Sequence, residues 1–426
     1  MNKKVKLTCI LQFLVLTFPS GAVVDFLLII RLFVVMNFYN SPTSRRFLMS
    51  KTFKELVFLF KIKGEEFQEI VSTITSGARK ARLGSKSVFI KTENDFVVFS
   101  FTGEDLQVER KVKVEVISKI DIATTMGELA LKVDVLPKDE IITVELAENL
   151  LNLRWGRSSK VTCETLPETA PVITIPSVEE TVQWKAGSLQ AINVAVPPFT
   201  ALSASSEARR NPVISGVNLC VDDTGNVYVK ATTGYRAIVA HSIGCSWFPG
   251  IEVSIPIESI KGLSDIFPTD VEIAVGMNDK QTLVVFKSGL TTAVSRLLVG
   301  KYPEIDGSFV TKGTESAKWT FDRMELIEVC RRVRKLSPNK PNLILKTEGS
   351  KVIAELRNVL TQQLGVYVEG EGKDFAVNAE YLEVAASLFR TEEVQLLFTN
   401  QNSLTVVAEE TDMIRILMGQ LELKSI

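Results

Sequence analysis

Apolar residues recur along most of this chain with one of two periods. In "GEEFQEIVSTI", Phe67, Ile70, Val71 and Ile74 fall at i, i+3, i+4 and i+7, the stripe of an amphipathic helix. The following "SVFIKTENDFVVFSF" sets two apolar runs around a polar turn, which predicts paired strands. The same succession returns from Ala317, where "AKWTFDRMELIEVCRRV" has a stripe at Leu326, Cys330 and Val333 and is followed by "LILKTEGSKVIAEL". From Val182, "VQWKAGSLQAINVAV" opens alike, but Pro197 and Pro198 must end its helix early before the strands of "VNLCVDDTGNVYVKAT". Each opening strand carries a large aromatic residue: Phe60, Trp184 and Trp319.

A second half follows in each copy. "IPIESIKGLSDIF" and "FAVNAEYLEVAASLF" predict short helices, each before paired strands in "VEIAVGMNDKQTLVVFKSG" and "VQLLFTNQNSLTVVAEE". The first copy's counterpart is "IITVELAENLLNLRWGRSS". The pattern predicts an α+β fold of three repeated domains. Each reads β-α-β-β-β twice, giving antiparallel sheets and two helices per domain. Pro and polar clusters at "ETLPETAPVITIP" and "EIDGSFVTKGTESA" divide the chain into domains at 49–176, 177–308 and 309–426, after a segment 1–48.

Composition narrows the chemistry. The 426 residues carry a formal net charge of −1, so attraction to a polyanion would have to come from a local basic face. Five scattered cysteines (Cys9, Cys163, Cys220, Cys245, Cys330) form no CxxC pair, which argues against a disulfide framework and a zinc site and fits a reducing compartment. His241 is the one histidine, set in the strand-like "AIVAHSIG", where a structural role is the better reading. No Gly-rich phosphate loop is present. The expectation is a protein without catalytic residues, metal or cofactor.

Residues 1–48 stand apart. "MNKKVKLTCILQFLVLTF" followed by "PSGA" imitates a signal peptide, and residues 7–35 also read as a membrane span with Asp25 and Arg31 at a cost near its centre. A third reading starts translation at Met49, directly before "SKTFKEL", where globular patterning begins.

Three motifs lie in order on the repeats: "WGRSSKVTCETLPE", "NPVISGVNLCVDDTGNVYVKATTGYRAIVA" and "SRLLVGKYPEID". Together they resemble the bacterial β sliding clamp family, the processivity subunit of DNA polymerase III, from about Phe58 to the C-terminus. The resemblance implies a homodimeric ring of six domains around duplex DNA, with helices lining the hole and sheets outside. It implies a surface pocket between the second and third domains that takes short peptides of polymerases and clamp-loader subunits. Carried over, that pocket comprises Ile214, Thr232, Gly234, Tyr235, Arg236, Ala237, Pro303, Ile416, Leu417 and Met418. An apolar slot with a few polar groups suits an aliphatic or aromatic peptide side chain. Tyr235 replaces a usual histidine, Ala237 a usual leucine and Gly419 a usual proline, so peptide preference is expected to differ.

Sequence-independent attraction to DNA phosphates is expected from basic positions beside the first helix of each copy. These are Arg79, Lys80 and Arg82; Arg209 and Arg210; and Arg331, Arg332, Arg334 and Lys335. A ring on chromosomal or viral DNA works in the cytoplasm, which favours the start at Met49 over a cleaved signal. The alternative function is a clamp-like peptide-binding adaptor that no longer closes a ring.

Overall fold

The structure, a computed structural model, describes residues 56–421 apart from 81–86, 168–174, 177, 242, 349–350, 372–373, 399–402 and 409–413. The readings made for segment 1–48, and for Arg82, therefore lie outside the described residues. Among the described residues no helix is long and apolar enough to cross a membrane.

Each copy begins as its periodicity predicts. Helix α1 (Gly64–Lys80) buries Phe67, Ile70, Val71 and Ile74, and carries Glu65 and Glu66 in its first turn, where carboxylates oppose the helix dipole. Phe60, Trp184 and Trp319, one in each opening strand, are fully buried, and each anchors a ring cluster. Phe60 meets Phe67 at 6.5 Å and Phe99 at 6.3 Å, Trp184 meets Phe286 at 5.7 Å, and Trp319 meets Phe375 at 5.1 Å and Phe398 at 5.4 Å. The remaining helices are α2 (Met126–Asp134), α3 (Ser188–Ala195), α4 (Ser206–Arg210), α5 (Ile257–Ile266), α6 (Arg323–Leu336) and α7 (Ala379–Ser387). Helix α3 stops at Ala195 and the two prolines open a 3-10 turn, Pro197–Phe199, as their missing N–H groups and fixed φ require.

The strands explain how two halves make one copy. The three-stranded meander of each half adds the opening strand of the other half as a fourth strand. In the first copy, Ser87–Glu93 pairs with Asp121–Thr125, and Ile141–Ala147 pairs with Leu56–Lys63. In the second, Gly216–Val221 pairs with Val253–Pro256, and Ile273–Met277 with Thr181–Trp184. In the third, Asn342–Glu348 pairs with Phe375–Asn378, and Glu393–Phe398 with Ala317–Asp322. All these ladders are antiparallel. Tight turns join the meanders; Asn94, at φ 53°, takes the left-handed conformation that the "ENDF" turn demands. The short strands Glu115–Val116 and Val366–Gly370, which the pattern did not predict, add to the opening strands of the first and third copies.

Neighbouring copies join by one repeated rule: the last strand of a first-half meander pairs with the last strand of the next copy's second-half meander. Leu106–Arg110 pairs with Thr291–Ser295, and Arg236–Ala240 pairs with Ile414–Met418. At the first junction Arg110 donates to the Thr291 hydroxyl at 2.6 Å and to Glu69 of α1 at 3.1 Å. Helices α1 and α5 meet there through two glycines. A Cβ on Gly262 would lie 2.7 Å from Leu106 Cδ2 and 3.1 Å from the Gly77 carbonyl, so the helix backbones approach as closely as glycine permits. The result is sheets of thirteen, nine and four strands.

Two strands that fit this rule are left with open edges among the described residues. Leu360–Leu364 is the edge of the four-stranded sheet. Ser159–Leu166 is paired on its outer side only through Thr165 and Leu166.

Candidate functional site

The second junction carries the Thr-Thr-Gly-Tyr-Arg turn, Thr232–Arg236. In Thr232–Arg236, Thr232 Oγ1 accepts from the Gly234 N–H at 3.0 Å and donates to the Arg236 carbonyl at 3.0 Å. The Thr233 N–H reaches the same carbonyl at 2.9 Å. Gly234 sits at φ 89°, a conformation that strains any side chain. Two threonines and a glycine thus close the turn and separate its two large residues. Tyr235 points outward and is 69% exposed. Arg236 turns inward, with its guanidinium 3.9 Å from the Tyr381 ring centroid and 5.8 Å from that of Phe199. Burial pulls the Arg236 pKa down, opposed by Tyr381 and Glu380. Tyr381 is held by the start of α7, where Asn378 Oδ1 accepts from the N–H groups of Glu380 and Tyr381.

Behind the turn lies an apolar cluster separate from the main core. Ile214, Ala237, Val239, Tyr302, Ile305 and Phe309 are buried in it, with Ala201, Ala208 and Val213, and Leu417 packs against it half-buried. The segment 302–309 crosses the sheet as a strap, fixed by an ion pair between Lys230 and Asp306. Leu202, 80% exposed, and Val299, 87% exposed, are chain neighbours of Ala201 and Leu298 at the cluster's margin. A slot with a buried apolar floor, an exposed apolar rim and one stacked guanidinium suits a short segment with large apolar side chains. A cleft of about 600 Å³ opens elsewhere, beside Glu69, Arg110 and Asp265 at the first junction. The candidate slot is the cluster at the second junction, where a buried apolar floor meets an exposed apolar rim.

The structure sorts the expected pocket residues. Ile214, Ala237 and Leu417 come together; Thr232 and Gly234 build the turn; Tyr235 is at the rim and Arg236 under Tyr381. Pro303 is half-buried beside Tyr302, which makes the contact. Ile416 and Met418 are buried in the main core. The register Ala237 to Leu417 fixes the strand's parity, so its alternation sends Ile416 and Met418 into the main core on the other face. Tyr302, Phe199 and Tyr381 were missed; the "KYPE" motif flanks the first of these, and the other two are joined to the turn only by folding.

The basic positions divide as well. Arg79 and Lys80 end α1. Arg209 and Arg210 are exposed on α4, a helix of five residues whose Ala208 packs into the apolar cluster. Helix α6 buries Leu326, Ile327, Val329, Cys330 and Val333 and exposes Arg331, Arg332, Arg334 and Lys335. Its arginines are engaged. Arg331 Nε donates to Glu383 at 3.0 Å and Arg334 to the same carboxylate at 2.6 Å, while Arg332 meets Glu328 at 2.8 Å and Gln362 at 2.6 Å. Among the described residues no three His, Cys, Asp or Glu side chains are grouped to hold a metal ion.

With this geometry in view, comparison with known proteins is informative. No family model matches the chain. It is 25% identical over 328 residues to the beta sliding clamp of Pseudomonas putida, covering 73% of this chain and 84% of that protein. It is 25% identical over 207 residues to the beta sliding clamp of Lactococcus lactis, a match that spans 54% of that protein's length. Among solved structures, the DNA polymerase sliding clamp of Bacillus subtilis superposes with a TM-score of 0.74 at 17% identity, covering 86% of this chain and 99% of that one. The sliding clamp of Pseudomonas aeruginosa bound to griselimycin superposes with a TM-score of 0.74 at 19% identity, covering 86% of this chain and all of that one.

Proposed function

We propose that this chain, a divergent relative of the bacterial β sliding clamps, is a DNA polymerase processivity factor that works as a closed ring in the cytoplasm. It makes no covalent change to its substrate. Two copies of the chain, head to tail, encircle duplex DNA, and the slot at the second junction tethers a polymerase or clamp-loader subunit by a short peptide. Retention is topological, so attraction to DNA stays weak and sequence-independent, and sliding is permitted.

The observation that carries this reading is the junction rule. Each half-unit has one strand suited to a junction, and four of the six are used within the chain. The two that remain, Leu360–Leu364 and Ser159–Leu166, are the complementary kinds, a first-half edge and a second-half edge. They lie in the third and first copies, so a second chain can satisfy both by the same antiparallel pairing, twice over, in a closed C2 arrangement without exposed edges. The helices agree. Gly77 stands thirteen residues after the first residue of α1 and Gly262 five after that of α5. The same positions in α6 and α2 are Leu336 and Leu131, which are 53% and 65% exposed. Where the built junction brings two glycines together, the open faces present two leucines to be covered.

Light scattering on residues 49–426 across a dilution series tests the reading. A stable dimer is expected, and a mass that stays monomeric at micromolar concentration rules out the closed ring.

A further inference from the structure

The arginines of α6 raise a question that the ring alone does not answer. A surface meant to attract phosphates has spent two guanidinium groups on one carboxylate. Glu383, on α7, is 9% exposed, and both its oxygens are taken: Oε1 by Arg331 Nε at 3.0 Å and Oε2 by Arg334 at 2.6 Å. The arginines themselves are open to solvent, with side chains 55% and 44% exposed. They line a cleft of about 260 Å³ with Lys335, Pro338, Pro341 and Glu380. Arg331 bonds Glu383 through Nε and Arg334 through one terminal nitrogen, so each keeps N–H donors for the cleft. Three cations there face two carboxylates, Glu380 and Glu383, for a net charge of +1.

We infer that Glu383 is a positioning residue that sets the grip of this face on DNA: it fixes Arg331 and Arg334 toward the phosphate backbone and, by cancelling one of their charges, lets the pair neutralise one phosphate rather than two. The inference rests on the proposed ring function. A buried carboxylate is costly unless paired, so Glu383 holds the two arginines that bond its two oxygens. The hydrogen bond and charge of Glu383 raise the Arg334 pKa further above its ordinary value. A ring that must slide gains from this arrangement. The phosphate finds preorganised donors, but counterion release corresponds to about one charge rather than two, and each added charge steepens the salt dependence by about 0.9 in log K against log salt.

The test is the affinity of the 49–426 dimer for a short linear duplex, measured by fluorescence anisotropy between 50 and 200 mM salt. Glu383→Gln keeps the shape and removes the charge. Its slope is expected to steepen by about 0.9, which amounts to about 3.5-fold tighter binding at 50 mM if the curves meet near 200 mM. The double variant Glu383→Gln/Arg331→Gln restores the net charge, leaves no buried ion unpaired and is expected to return to the wild-type slope. An unchanged slope in Glu383→Gln, or weaker binding with dimer mass and melting temperature intact, overturns the inference. If Glu383→Gln alone fails to fold, the double variant decides: a slope shifted from wild type by a full charge overturns it. Loss of the dimer or of retention on circular DNA by the wild-type chain would instead sink the ring function itself.

Discussion

Replacing Leu131 by Ala tests the open junction at the point where the helices should meet. Leu131 is 65% exposed in the single chain, so about two-thirds of its side chain remains to be taken out of water. Full burial of a leucine contributes about 1.5–3 kcal/mol, so covering this fraction stabilises one interface by about 1–2 kcal/mol. A two-fold ring contains the contact twice, giving about 2–4 kcal/mol per dimer. At about 1.4 kcal/mol per decade, the dimer dissociation constant should rise by about 30- to 1,000-fold. Leu336→Ala, at 53% exposure, should act in the same direction and somewhat less. Because both leucines face solvent in the free chain, melting of the monomer should move little. Sedimentation equilibrium over a wide dilution range reads the constant. A dimer of unchanged affinity in the Leu131→Ala/Leu336→Ala variant would refute the equivalence of these faces with the built junction.

Three further outcomes follow from the packing. Trp184 donates its indole N–H to the Ser246 carbonyl at 2.7 Å, whereas the buried Trp319 N–H has no partner among the described residues, so Trp184→Phe should cost about 1–3 kcal/mol more in urea melts than Trp319→Phe. Equal costs would show that the Ser246 bond contributes nothing. Gly262→Val must push against Leu106 and the Gly77 carbonyl, and overpacking of this kind should lower stability by about 1–3 kcal/mol, read as a reduced urea midpoint; a neutral result would mean that α1 and α5 separate freely. Tyr235→Ala, at the exposed rim, should weaken binding of labelled peptides with adjacent aliphatic and aromatic residues by about 5- to 30-fold in anisotropy, with the melting temperature unchanged. Equal affinity would place the peptide elsewhere.

Features governed by short-range periodicity were legible in the sequence. The stripe Phe67, Ile70, Val71, Ile74 names the buried face of α1, and the aromatic residue of each opening strand names the centre of each core. The turn at Thr232–Arg236 could be read because its chemistry is local: two hydroxyls and a glycine satisfy the backbone within five residues. What required the structure were relations between distant segments. The pairing of Ala237 with Leu417 fixes which of three consecutive apolar residues faces the slot, and no local signal distinguishes Leu417 from Ile416. The strap through Tyr302 and Phe309 packs on Ile214, Ala237 and Val239, residues about 60 to 100 positions earlier in the chain. Arg331 and Arg334 look like free phosphate ligands on a helical wheel; Glu383, about fifty residues on, is what restrains them. The five-residue helix that carries Arg209 and Arg210 was too short for its period to show.

The claim that matters most is closure around DNA, and topology tests it directly. The clamp would be loaded onto nicked circular plasmid with a clamp loader, separated from free protein by gel filtration, and the plasmid then cut once with a restriction enzyme. The protein is expected to stay with the circle, even at salt that abolishes binding to short duplexes, and to leave within minutes of linearisation by sliding off the ends. Release that is the same from circular and cut DNA would mean that the chain holds DNA by surface affinity alone, and would contradict the ring.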